Sequence, residues 1–160
     1  MNKKQTQRVK NALRRLTFSD PFWKAAKKRA YVDAGVHRCE NCGVLTYNGV
    51  SLKNVTKMFE KYGEIFTVEK PDRKKRMRYY GIEIDHIVPV VDPIEGNSGW
   101  DEFIPRLFPD SFEAYMCLCI SCHSIKTKCE NIDRGTDKGD WDDFFDLTEE
   151  DNPDIINIEV

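Results

Sequence analysis

The chain has 160 residues, of which 40% are hydrophobic and 32% are charged, and its formal net charge is −2. This length suits one domain with a real core, and no stretch approaches the roughly 18 apolar residues that a membrane span requires. The N-terminus lacks the apolar block of a secretory signal. We therefore expect a cytoplasmic protein with no membrane partner, whose paired cysteines bind metal rather than form disulfides.

Two helices are predicted at the N-terminus. Residues 5–17 place apolar side chains on one helical stripe, and Ser19-Asp20-Pro21 is a strong helix start with Asp20 as the cap. This second helix is expected to run to about residue 34 and to end at Gly35. Residues 1–36 thus form a predicted basic helical segment.

Short strands and helices are predicted over residues 37–136. In chain order they are a tight knuckle at 37–45 ended by Gly43, a helix at 52–62, strands at 64–70 and 77–85, a loop at 92–99, a helix at 100–108, a strand at 115–119 and a helix at 122–131. Within the helix at 100–108, Pro105 is tolerable only near the helix start. Residues 137–160 follow as an acidic tail, with 10 Asp and Glu against one Lys. The fold class is therefore α+β.

Charge is unevenly distributed along the chain. Residues 1–80 contain 20 Lys and Arg against 7 Asp and Glu, whereas residues 81–160 contain 5 against 20. Such asymmetry predicts a basic surface for nucleic acid and an acidic tail with a separate role. The alternative is a solvated helix face with a solubilising tail.

Two Cys-x-x-Cys pairs carry the clearest chemical signal. They are Cys39, Cys42, Cys119 and Cys122. Zinc prefers four tetrahedral ligands, and thiolates two residues apart in a tight turn can both face it. The pattern predicts one structural zinc that joins distant parts of the chain and stabilises the fold. Cys117 is expected to face the core, and Cys129 is expected to be an ordinary helix thiol.

An Asp-His dipeptide lies between the pairs, and a histidine follows the last cysteine. Hydrolysis of a phosphodiester requires a base to activate water and a cation to neutralise charge. Asp85 offers a hard carboxylate for a divalent ion, His86 offers a base with a pKa near neutrality, and His123 can supply a second ligand. Because neighbouring side chains on a strand point oppositely, a bend is expected at this strand end.

These residues resemble the HNH endonuclease family. The segments that carry the resemblance are Glu83-Ile84-Asp85-His86-Ile87-Val88-Pro89, Leu118-Cys119-Ile120-Ser121-Cys122-His123-Ser124-Ile125-Lys126-Thr127 and the intervening Gly99–Phe108. The zinc-bearing members common in bacteriophages are the most similar, and the resemblance covers roughly residues 37–131.

The resemblance implies a small ββα-metal core over residues 37–136, with the four-cysteine structural zinc beside it. It implies that His86 is the general base, and that Asp85 and His123 hold a catalytic divalent ion such as Mg²⁺, Mn²⁺ or Ni²⁺. The implied reaction is one-metal hydrolysis of DNA that leaves 5′-phosphate and 3′-hydroxyl ends. The implied role is phage DNA processing or packaging in a bacterial host's cytoplasm.

One position departs from the family pattern. The family's middle Asn falls on Ala114, which can neither bind metal nor orient the base. Glu113 or Asn97 is a candidate substitute. The alternative function is therefore a catalytically weak or inactive HNH-fold protein that acts as a DNA- or protein-binding module. A plain zinc ribbon would leave the Asp-His dipeptide unexplained.

DNA-backbone contact requires positive charge and need not involve reading bases. The candidate nucleic-acid-binding residues are Lys24, Lys27, Lys28, Arg29, Arg73, Lys74, Lys75, Arg76, Arg78 and Lys126. The acidic tail has three alternative roles: shielding this basic surface, docking a phage or host protein, or keeping the chain soluble.

Overall fold

A computed structural model describes residues 2–71, 74–96 and 99–136. In chain order its elements are α1 (Lys3–Leu16), α2 (Pro21–Arg29), β1 (Tyr31–Asp33), β2 (Val36–Arg38), β3 (Leu45–Tyr47), α3 (Leu52–Tyr62), β4 (Val68–Pro71), β5 (Met77–Tyr80), β6 (Ile82–His86), α4 (Trp100–Leu107), β7 (Tyr115–Cys119) and α5 (Ile120–Asp133). The α+β class is confirmed. Among the described residues, no helix combines the length and apolar character needed to cross a membrane.

The chain divides into two compact units. Among the described residues, unit 1 comprises residues 2–29 and 84–116, and unit 2 comprises residues 30–83 and 117–136. Both units therefore contain segments that are distant in sequence. The segment boundaries at residues 37 and 137 stay a prediction, and the acidic tail lies outside the described residues.

Unit 1 begins with two capped helices. At the start of α1, the Asn2 side chain accepts a hydrogen bond from the backbone of Gln5, and the Gln5 side chain accepts one from the backbone of Asn2. Asp20 caps α2 as predicted, because its Oδ1 accepts hydrogen bonds from the backbone nitrogens of Phe22 at 2.7 Å and Trp23 at 3.3 Å. A 3-10 turn at Thr17–Ser19 separates the two helices.

The prediction that the second helix continues to residue 34 is wrong. It ends at Arg29, and the next residues form β1, which pairs antiparallel with β2. Aromatic and β-branched side chains such as Tyr31 and Val32 favour this strand over a helix. Gly35 (φ +82°) lies in the β1–β2 turn, where a Cβ would come within 2.7 Å of the Tyr47 ring. It serves this close turn rather than a helix end.

The core of unit 2 lies between its small sheets and α3. It is formed by the buried side chains of Val36, Tyr47, Val55, Met58, Ile65 and Tyr79. The predicted bounds of α3 are confirmed: Ser51 caps its start, and Gly63 (φ +77°) follows its last residue. This helix supplies Val55 and Met58 at the spacing of one apolar face.

The strand predicted at 77–85 is interrupted at Gly81. Strand β5 pairs with β4 before the break, and β6 continues after it. A Cβ at Gly81 would lie 2.8 Å from the Phe66 carbonyl oxygen and 2.8 Å from Thr46 Cβ, so only glycine permits this approach. The Asn48 side chain accepts hydrogen bonds from the backbone nitrogens of Gly81, at the break, and of Ile82, at the start of β6. The strand predicted at 64–70 is also shorter in the structure, where the regular strand β4 begins at Val68.

Strands β6 and β7 form a two-stranded sheet, and α5 follows β7 directly. The Ile87 nitrogen donates to the Ala114 carbonyl at 2.9 Å, and the Ile120 nitrogen donates to the Gly81 carbonyl at 3.2 Å. This order of partners is antiparallel. The chain thus contains a strand–strand–helix sequence, with α4 inserted between the strands.

Pro105 is the sixth of eight residues in α4, so the expectation that places it near the helix start is wrong. The helix ends two residues later, and the proline removes only one backbone donor from a helix this short.

Candidate metal centre and catalytic residues

The four predicted cysteines meet in unit 2. The Sγ atoms of Cys39, Cys42, Cys119 and Cys122 all lie within 4.8 Å of one another. A tetrahedral zinc site with four Zn–S bonds of about 2.3 Å has sulfur–sulfur edges of about 3.8 Å. The distance from Cys42 Sγ to Cys119 Sγ is 3.8 Å. The cluster is therefore confirmed as a group that could hold a metal such as zinc.

Each cysteine pair is presented by local backbone hydrogen bonds. The first pair lies in the turn between β2 and β3, where the Cys39 nitrogen donates to the Val44 carbonyl and the Gly43 nitrogen donates to the Cys39 carbonyl, both at 2.9 Å. Gly43 (φ +78°) closes this turn, as predicted. In the second pair, Cys119 caps α5, and its Sγ accepts a hydrogen bond from the Cys122 nitrogen at 3.4 Å.

The two residues inside the first pair connect it to the second. The Glu40 nitrogen donates to the Cys117 carbonyl at 2.8 Å, and the Cys117 nitrogen donates to Glu40 Oε2 at 2.7 Å. Asn41 Nδ2 donates to Cys122 Sγ at 3.3 Å. Such outer contacts orient metal ligands. Sequence reasoning missed both residues, although their polar character within the Cys-x-x-Cys pair was a signal.

The thiols of the cluster influence one another's ionisation. Burial raises the pKa of Cys39, but the nearby backbone N–H groups of Cys42, Cys119 and Asn41 outweigh it and bring that pKa down to about 7. Burial, together with the neighbouring Cys39 thiolate, raises the pKa of Cys119 well above its usual range. Ionisation of one thiol therefore opposes ionisation of the next, which is the repulsion that a bound cation relieves.

The remaining two cysteines lie where the sequence places them. Cys117 is fully buried on β7, and Cys129 is exposed on α5. Neither belongs to the four-cysteine cluster.

Asp85 and His86 end strand β6 in unit 1, and both are half-buried. The expected bend follows at once, at residues 87 and 88. His86 Nε2 lies 3.1 Å from the carbonyl oxygen of Leu107. Its ring packs against Tyr115, with 4.7 Å between ring centroids and a tilt of 47°. The imidazole is therefore held from two sides.

The contact with Leu107 determines the tautomer of His86. A carbonyl oxygen can only accept a hydrogen bond, so Nε2 must carry the proton. In the neutral ring Nδ1 is then the basic nitrogen. The Tyr115 hydroxyl lies 3.4 Å from both the Leu107 carbonyl oxygen and Asp20 Oδ2. Sequence reasoning missed Leu107, because a backbone carbonyl leaves no signal in the residue type.

His123 lies near the start of α5, in unit 2, and is half-buried. Asp85 and His86 lie in unit 1. That these three residues serve one catalytic ion stays a prediction.

Ala114 takes part in the structure through its backbone, because its carbonyl accepts the hydrogen bond from Ile87. Of the two candidate substitutes for the family's Asn, Glu113 is exposed and hydrogen-bonded to the Ser111 hydroxyl, which lowers the pKa of its carboxyl group. Asn97 lies outside the described residues.

Four of the predicted nucleic-acid-binding residues lie on α2. Lys24 and Lys28 are exposed, and the Lys27 amine lies 5.9 Å from the Trp23 ring centroid. Arg29 donates to the Tyr115 carbonyl at 2.8 Å and lies over the Phe112 ring at 5.3 Å. Arg29 therefore also has a structural role in unit 1.

The other predicted nucleic-acid-binding residues belong to unit 2. Lys74, Lys75 and Arg76 are exposed, Arg78 is half-buried on β5, and Lys126 is ion-paired with Glu130 one turn along α5. Arg73 lies outside the described residues. DNA contact by either group stays a prediction.

Comparison with known proteins adds no relative: no family model, no curated protein and no solved structure matches this chain. The resemblance to HNH endonucleases thus depends on the motifs themselves.

Proposed function

We propose that this chain is a zinc-stabilised, metal-dependent DNA endonuclease or nickase of the HNH type, acting in phage DNA processing or packaging. The observation that carries the proposal is the restraint on His86, whose Nε2 is committed to the Leu107 carbonyl. A histidine fixed in this tautomer presents Nδ1 as a general base.

In the proposed reaction, His86 Nδ1 takes a proton from a water molecule. The water oxygen then forms a bond to phosphorus, and the bond from phosphorus to the 3′ oxygen breaks. The departing 3′ oxygen takes a proton from solvent water, so the products are a 5′-phosphate and a 3′-hydroxyl. A divalent cation held by Asp85 and His123 would supply neutralisation of the charge that develops on the leaving oxygen. The carbonyl of Leu107 stabilises His86 once it is protonated, because Nε2–H donates to it throughout.

The order of elements supports the same proposal. Strand β6 ends in Asp85-His86, its partner β7 ends in Cys119, and α5 starts there and carries His123. This is the strand–strand–helix sequence that a ββα-metal unit requires. The cysteine cluster supports a structural zinc at the junction of β7 and α5.

Ala114 favours a second candidate function. A methyl group at this position supplies neither a metal ligand nor a hydrogen bond to the base. The second candidate is therefore a binding module of the same fold that attaches to DNA or protein without efficient cleavage.

A plasmid-nicking assay with Mg²⁺, Mn²⁺ or Ni²⁺ tests the proposal. We expect nicking by the wild-type protein and a loss of about 10²–10⁴-fold in His86→Ala, with zinc content unchanged. Glu83→Ala is the matched control, because Glu83 is an exposed residue on the same strand. No nicking with any of the three ions, together with retained DNA binding, would support the binding module instead.

A further inference from the structure

Helix α1 is the most basic element of the described chain. Six Lys and Arg residues and no Asp or Glu precede Asp20 in the sequence. The helix is 14 residues long, yet none of its described side chains is buried. Its surface is therefore available for an interaction that the proposed catalytic residues do not explain.

One side of α1 faces the rest of unit 1. Thr6, Lys10 and Leu13 are half-buried, and Thr17 just beyond the helix is buried. Their spacing of i, i+4, i+7 and i+11 defines a single helical face. The Lys10 amine anchors this face, because it lies 4.8 Å from the Phe103 ring centroid.

The opposite side of α1 is cationic. A second stripe has the same spacing as the inward face but begins two residues earlier, which places it about 200° around the helix. Its four members are all exposed: Lys4, Arg8, Asn11 and Arg15. Gln7 lies beside this stripe, and its Nε2 donates to Asn11 Oδ1 at 2.8 Å. The stripe thus has Lys4 and Arg15 toward its ends, and Arg8 with the pair of amides near its middle.

The cross-section of α1 suits a groove of duplex DNA, because an α-helix with its side chains is about 10–12 Å across. Eleven residues separate Lys4 from Arg15, which is about 16 Å along the helix axis. The major groove is about 12 Å wide and admits an α-helix. When α1 lies along the groove with this stripe toward its floor, the Gln7–Asn11 amides face the base edges. The long side chains of Lys4, Arg8 and Arg15 extend to the phosphates on the walls.

We propose that α1 lies in the major groove of duplex DNA, with Lys4, Arg8 and Arg15 on phosphates and the Gln7–Asn11 amide pair toward the bases. The choice of DNA as the partner rests on the proposed function. A-form RNA has a deep and narrow major groove that does not admit a helix. The exposed apolar side chains of α1, Val9 and Leu16, lie about 100° around the helix from the cationic stripe. The stripe itself therefore offers only polar groups, whereas a helix lying on a membrane would turn an apolar face outward.

The salt dependence of binding tests this proposal without requiring cleavage. Duplex binding is measured by fluorescence anisotropy between about 50 and 200 mM salt, in a His86→Ala background. The triple variant Lys4→Gln/Arg8→Gln/Arg15→Gln is expected to bind more weakly and to lower the slope of log K against log salt by about 2.7, or about 0.9 per phosphate contact. Glutamine keeps helix propensity high, so circular dichroism should show unchanged helix content.

A matched control is Lys53→Gln/Lys57→Gln/Lys70→Gln, which removes three exposed cations from unit 2 for the same charge change. Its slope should stay within about 0.5 of the wild type. Equal slopes in the two triple variants would overturn the proposal. Loss of binding to anionic vesicles with unchanged DNA binding would overturn it in favour of a membrane surface.

The outcome is separable from that of the nicking assay. A protein that never nicks DNA but shows the expected loss of slope retains this inference and loses the proposed function. A protein that nicks DNA while the α1 triple variant binds like the control retains the function and loses this inference. Gln7→Ala/Asn11→Ala should leave the slope unchanged and alter the preference among duplexes of different sequence; an unaltered preference would overturn the assignment of the amides.

Discussion

Removing one cysteine of the cluster should destabilise the protein far more than removing a cysteine outside it. The proposed perturbation is Cys42→Ala, compared with Cys129→Ala. Both residues are exposed thiols in unit 2, but only Cys42 belongs to the four-sulfur cluster. The two variants therefore share the same chemical substitution and differ in whether the lost thiol belongs to the four-sulfur cluster.

The expected magnitude follows from the chain length that the cluster closes. Cys42 and Cys119 are 77 residues apart in sequence. The chain-entropy relation for a cross-link across such a loop gives about 4.5 kcal/mol. A metal present at about 100 times its dissociation constant stabilises the folded state by about 2.7 kcal/mol through mass action. We therefore expect Cys42→Ala to lower the free energy of unfolding by about 3 to 4.5 kcal/mol, and Cys129→Ala to lower it by less than about 0.5 kcal/mol.

Metal analysis and chemical denaturation check this expectation together. The wild type and Cys129→Ala should carry one zinc per chain, and Cys42→Ala should carry less. A strong chelator should lower the denaturation midpoint of the first two proteins and leave that of Cys42→Ala unchanged. Equal zinc content and equal stability in the two variants would refute the reasoning.

Four further predictions concern single features. The pKa of Asp33 is lowered from 3.8 to about 2 by its hydrogen bonds with Lys61, the Ala34 backbone and Tyr62, so the stabilisation that it contributes is present above about pH 4 and is lost as the pH falls through about 2. The free energy of unfolding of Asp33→Asn should therefore depend less on pH between about 4 and 2 than that of the wild type. Equal pH dependence in the two proteins would contradict this. Gly81→Ala should lower the free energy of unfolding by about 1–3 kcal/mol in a denaturant titration, because its Cβ would overlap the Phe66 carbonyl and the Thr46 side chain. An unchanged free energy of unfolding would mean that the backbone can shift. Ala114→Asn should change the nicking rate less than about tenfold, because the Leu107 carbonyl already orients His86; a larger rise would show a real deficit at Ala114. Deletion of residues 137–160 removes 10 Asp and Glu and one Lys and should tighten DNA binding at low salt, and equal affinity would dismiss shielding by the tail.

Local signals in the sequence were sufficient for several elements. The capping residue Asp20, the glycine after α3 and the spacing of the cysteines each act within a few residues, and the structure has all three where they were predicted. Strand β7 has its predicted bounds for the same reason, since it is a short apolar run directly before a cysteine pair. The spacing of the four cysteines also predicted that distant segments meet, because two Cys-x-x-Cys pairs at this spacing are typical of one shared zinc site.

The errors arose where a distant contact decides the local conformation. Ala30 to Ala34 continue a helical pattern, but pairing with β2 makes three of these residues a strand. Gly81 interrupts a continuous strand pattern only because Thr46 and Phe66 leave no room for a side chain there. Neither partner can be identified from the residues next to the error. Tertiary contacts thus outweighed local propensity at both sites.

The same distinction explains why the support of His86 was invisible in the sequence. The HNH pattern has an Asn side chain at the position of Ala114, and alanine offers no polar group there. The structure supplies orientation through a backbone carbonyl instead, and the fully buried Tyr115 packs against the imidazole from the neighbouring strand. Orienting a base requires an acceptor at the correct distance from Nε2, and any residue can provide one through its backbone. Under the proposed function, alanine in place of the Asn of the HNH pattern removes one possible ligand but leaves the contact of His86 with Leu107 in place, and this is why the proposed reaction remains consistent with alanine at that position.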